Sequence, residues 1–165
     1  MNKTTRQAFS EAEWDTLIHA PFAAGMVVIT ADMNIPGLLN EGKALFKAID
    51  EQAVPESVEY LISAVISDIH ELSEDAYQIP AQVDAAHPDE QENLLLEKLR
   101  EVRFILDTKL DSKCAEDFKR WLLSIASSVS KASTEGGFLG IGGETVSDKE
   151  TRSLNEIASA LGISE

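Results

Sequence analysis

Val58-Glu-Tyr-Leu-Ile-Ser-Ala-Val-Ile-Ser-Asp-Ile-His-Glu-Leu72 is the stretch on which the fold turns. Its apolar residues Val58, Leu61, Ile62, Val65, Ile66, Ile69 and Leu72 recur at steps of three and four. At about 3.6 residues per turn such steps make one stripe along a helix, whereas a strand would need steps of two. The segment is therefore predicted to be an amphipathic helix. The same period extends outward from it in both directions.

Toward the amino terminus, Trp14, Leu17, Ile18, Phe22, Met26 and Ile29 form a second stripe. Ser10 with Glu13 three residues on is a capping box, each side chain serving a free backbone N–H. Pro21 falls inside the stripe, and a proline suits the first turn of a helix better than its middle. The expectation is a break there, with a new helix running through the nearly all-apolar Ala23 to Ile29 at the centre of the core. Asn34, Pro36 and Gly37 mark the next break. Leu38, Leu39, Phe46 and Ile49 suggest a helix that closes before Pro55.

Toward the carboxyl terminus, Ser73 to Pro88 reads as a long connection. Leu95, Leu99, Val102 and Leu106 make another stripe, with Glu97, Arg100 and Glu101 on the wet side. Asp111 is placed to cap a helix that carries Cys114, Phe118, Trp121, Leu122, Ile125 and Val129 inward. Glu116 and Arg120 have the spacing of a pair one turn apart. The last helix opens at Ser147 with Glu150, holds Leu154, Ile157, Ala158 and Leu161, and stops at Gly162. The fold class is all-α, a single-domain bundle of six to seven helices over residues 10–165, preceded by a tail of residues 1–9.

Composition narrows the function classes. The 165 residues suit one core, and 44% hydrophobic with 26% charged is an ordinary globular mixture. Acidic residues number 29 against 14 basic, a net charge of −15. That field repels phosphate backbones and anionic membrane surfaces, so neither nucleic acid nor direct membrane insertion is expected. It suits a cationic partner, a divalent metal, or simple solubility. An acidic mimic of nucleic acid is a further alternative. One cysteine, Cys114, admits no internal disulfide. No apolar h-region occurs in Met1 to Phe9, and the longest uncharged stretch, Ala20 to Ala31, is short for a bilayer. A cytoplasmic protein is expected.

Catalytic spacings fail one by one. A di-iron bundle needs Glu three residues before His, but Thr16, Ser67 and Asp84 stand there. His70-Glu71 is followed by Glu74 where a zinc helix needs its second histidine. Cys114 lies on a core stripe and reads as a small hydrophobe. No nucleophile elbow or P-loop occurs. The expectation is a protein that binds and is not an enzyme.

Two features remain. Glu135-Gly-Gly-Phe-Leu-Gly-Ile-Gly-Gly143 holds five of the nine glycines. Phe138, Leu139 and Ile141 in it are either a plug tucked into the core or a partner-binding loop that folds on contact. Acidic residues also gather at helix joints, with Asp32 after the central apolar helix and Glu144, Asp148 and Glu150 around the start of the last. Packed joints of this kind supply the converging oxygens that a hard divalent cation needs. Capping and the helix dipole equally account for carboxylates at a helix start.

Val27-Val-Ile-Thr-Ala-Asp32, together with Gly143-Glu-Thr-Val-Ser-Asp-Lys-Glu150 and Leu154-Asn-Glu-Ile-Ala-Ser-Ala-Leu-Gly162, resembles the TerB-like tellurite resistance family. There a small-residue helix runs into Ala-Asp, and an acidic-glycine turn leads to a capped Leu-x-x-Ile-Ala-x-x-Leu-Gly helix. The present chain has Met33-Asn34 after Asp32, and Gly143-Glu144 where the family has Asp-Gly. The resemblance implies an all-helical fold and a stress-associated binding or adaptor role beside a membrane-bound protein partner. It also implies a divalent cation at the turn acids, with Asp32, Glu144 and Glu150 in the matching positions. A protein-interaction module or homodimer without metal is the alternative.

Overall fold

A computed structural model gives the fold, described over residues 6–31, 38–72, 88–135 and 148–164. Within these, residues 38–43, 88, 133–135, 149 and 150 are described by their helical backbone alone. The architecture is an all-α bundle of six helices, with no strand among the described residues. They are α1 (Glu11–Ala31), α2 (Leu38–Glu51), α3 (Glu59–Glu71), α4 (Pro88–Lys109), α5 (Ser112–Glu135) and α6 (Asp148–Leu161). Short 3-10 turns at Arg6–Ala8 and Glu56–Val58 precede α1 and α3.

The start of α1 is built as its sequence demands. Ser10 Oγ accepts the Glu13 N–H at 3.2 Å, and Glu13 Oε2 accepts the Ser10 N–H at 2.7 Å. Phe9, before the cap, stacks on Trp14 at 5.8 Å between ring centroids, a hydrophobic staple that fixes how the chain enters the helix. Phe9 is itself buried, so residues 6–9, expected as a tail, belong in part to the bundle.

At Pro21 the structure corrects the expectation. No second helix begins there, and α1 runs unbroken from Glu11 to Ala31 with the proline inside it. Pro21 has no N–H for the Leu17 carbonyl, a loss of about 3 kcal/mol in a helix interior. Burial on both sides outweighs it: every residue from Ala23 to Thr30 is buried, as are Leu17, Ile18 and Ala20. Each large aliphatic side chain removed from water contributes roughly 1.5–3 kcal/mol. The unbroken α1 has the length and apolar composition of a membrane span, yet it is packed against all five other helices, as a core helix is.

The stripe of α3 is inward at Leu61, Ile62, Val65 and Ile69, while Leu72 lies at the exposed edge. Pro88, expected in the connection, stands at the first position of α4, where a missing N–H costs nothing. In α4 the buried stripe is wider than expected, with Leu96 and Ile105 joining Leu99, Val102 and Leu106. Asp111 caps α5 by accepting the Cys114 N–H at 2.9 Å, and Phe118, Trp121, Leu122, Ile125 and Val129 follow it inward. α6 ends in a Schellman motif. Gly162 lies at φ +70°, the Ile163 N–H reaches the Ala158 carbonyl at 2.9 Å, and the Gly162 N–H reaches Ser159 at 3.1 Å.

Polar cross-links between helices then fix the register. Trp14 Nε1 donates to Asp68 on α3 at 2.7 Å, and Arg6 adds an ion pair to the same carboxylate at 3.5 Å. Lys109 on α4 reaches Glu13 Oε2 at 3.2 Å, so α1 and α4 lie antiparallel. Lys119 on α5, almost wholly buried along its stem, donates to Asp107 on α4.

Candidate functional site

Of the acids expected at the helix joints, Asp148 is described, as the exposed first residue of α6. Glu150 lies in the first turn of α6, but its side chain is outside the described residues. Asp32, Glu144 and the loop residues Phe138, Leu139 and Ile141 also lie outside them. Among the described residues no three His, Cys, Asp or Glu side chains converge as a metal shell.

The other sequence candidates are each engaged locally. His19 Nδ1 meets the Asp15 carbonyl at 2.8 Å, one turn back on α1. His70 Nε2 meets Asp50 at 2.8 Å and joins α3 to α2. The Cys114 thiol donates to the Ser57 carbonyl at 3.3 Å. Partial burial, followed by the neighbouring Asp111, pushes that thiol above its ordinary pKa, away from nucleophilic chemistry.

The strongest electrostatic feature was not foreseen. Glu92, one turn into α4, is hydrogen-bonded to Glu156 on α6, so that two carboxyl groups meet across a helix seam. Two carboxylates in contact cannot both ionise cheaply, and one keeps a proton. Arg152, one turn before Glu156 on α6, decides which. Its Nε lies 3.1 Å from Glu156 Oε1 and stabilises ionised Glu156, leaving the proton on Glu92. Desolvation acts first on Glu92, then the hydrogen bond to Glu156 and its charge, and together they push the carboxyl up to about 7. Asp89, one turn earlier on α4, adds a smaller push in the same direction. Glu156 is lowered, chiefly by the hydrogen bond from Glu92. The pair is best regarded as a unit holding one proton near neutral pH.

α4 also carries two apolar side chains away from the core. Phe104 is 71% exposed and Leu94 61%. Their neighbours on the outward face, Glu97, Lys98 and Glu101, are exposed as well.

The pair was hidden from sequence reading because its members are distant in the chain and neither has an unusual neighbour. Only the Arg152–Glu156 spacing, one turn apart, was there to be seen. Comparison with protein-family models, with curated proteins and with solved structures gives no match for this chain.

Proposed function

We propose that this chain works by binding rather than by catalysis, as an acidic, stress-associated adaptor of TerB-like type. In this reading it presents its negative surface to a protein partner. A divalent cation is held at the joint where α6 begins, by Asp148 with Glu144, Glu150 and Asp32.

The observation that carries the reading is the acidic balance of the chain, 29 acidic residues against 14 basic, with Asp148 exposed at the first position of α6. A surface with a net charge of −15 attracts cations and cationic partners. The test is thermal unfolding of metal-stripped protein with millimolar calcium, magnesium, manganese or zinc. A cation bound to the native state at ~100 times its Kd adds about 2.7 kcal/mol and raises the midpoint by several degrees. Asp148→Asn and Glu144→Gln should abolish that rise. No rise with any of the four ions removes the cation from the proposal.

The exposed Phe104 and Leu94 favour a second reading, a protein-interaction module or homodimer without metal. Light scattering over a range of concentrations separates the two. A mass that grows with concentration and returns to the monomer in Phe104→Ser favours the dimer.

A further inference from the structure

We draw no further inference here: the strongest candidate, the outward face of α4 on which Leu94 and Phe104 are exposed, carries charges that cancel, Glu97 and Glu101 against Lys98 and Arg100, and nothing in the structure shows what covers it.

Discussion

Trp14 shows how much one side chain can hold. It is buried, stapled to Phe9, lies 5.8 Å under the Arg6 guanidinium, and donates its indole N–H to Asp68. Trp14→Phe keeps most of the ring but leaves Asp68 without that donor. The expected loss is about 1–3 kcal/mol, the cost of a broken bond to a charged acceptor plus the missing ring volume, read from the urea midpoint. An unchanged midpoint would show that Arg6 alone satisfies Asp68. Gly25 sets two effects of opposite sign against each other. Alanine there should gain roughly 1 kcal/mol of helix propensity. Its Cβ, however, would overlap Leu45 Cδ1, and Leu45 is itself fully buried with little room to move. Overpacking of this kind costs about 1–3 kcal/mol, so Gly25→Ala should be net destabilising by equilibrium unfolding. A more stable variant would mean that Leu45 changes rotamer freely.

Element by element, the sequence was most legible where local physics and packing agree. The capping box of α1, the Asp111 cap of α5 and the Gly162 stop of α6 all concern backbone groups within a few residues of the side chain that serves them. The stripes of α3 and α5 were legible because one face is apolar and the other wet. Pro21 was misjudged because its local cost was visible, while the burial that outweighs it depends on helices distant in the chain. Leu96 and Ile105 were missed because α4 is covered on two sides, by α1 and α6, which widens its buried arc beyond a single stripe. The carboxyl pair of Glu92 and Glu156 was illegible for the same reason, being a contact made only by tertiary packing. Gly162 gives a prediction at this scale. At φ +70° a Cβ is strained, and it would lie 2.5 Å from Arg103 Cζ. Gly162→Ala should cost about 1 kcal/mol, with Arg103 swinging aside, and lower the thermal midpoint by a few degrees.

For the whole molecule, a net charge of −15 means that stability carries a repulsive contribution that grows as acids ionise. Two causes of pH dependence then overlap, and salt separates them. Glu92 has a folded pKa of about 7, above the ordinary 4.5. Its contribution is therefore fully present below pH 4.5 and is lost as pH rises through about 7. Glu156 and Asp117 are lowered, Glu156 first by Glu92 and Asp117 first by Lys113, so theirs are present above the ordinary range and lost as pH falls. The midpoint should therefore peak on the acid side of neutrality and decline toward pH 8. Repulsion among exposed charges is screened when sodium chloride rises from about 0.02 M to about 0.5 M, which should raise the midpoint at every pH above neutral. The Glu92 contribution should survive that salt, because desolvation is its first cause and ions in solution do not restore lost hydration. After allowance for its partial exposure it is on the order of 1 kcal/mol, about 2–4 °C for a chain of this size. In Glu92→Gln at high salt the decline between pH 6 and 8 should vanish, whereas either change alone should remove only part of it. If salt alone flattens the wild-type profile, the alkaline loss of stability belongs to the general charge of the molecule and not to the seam between α4 and α6.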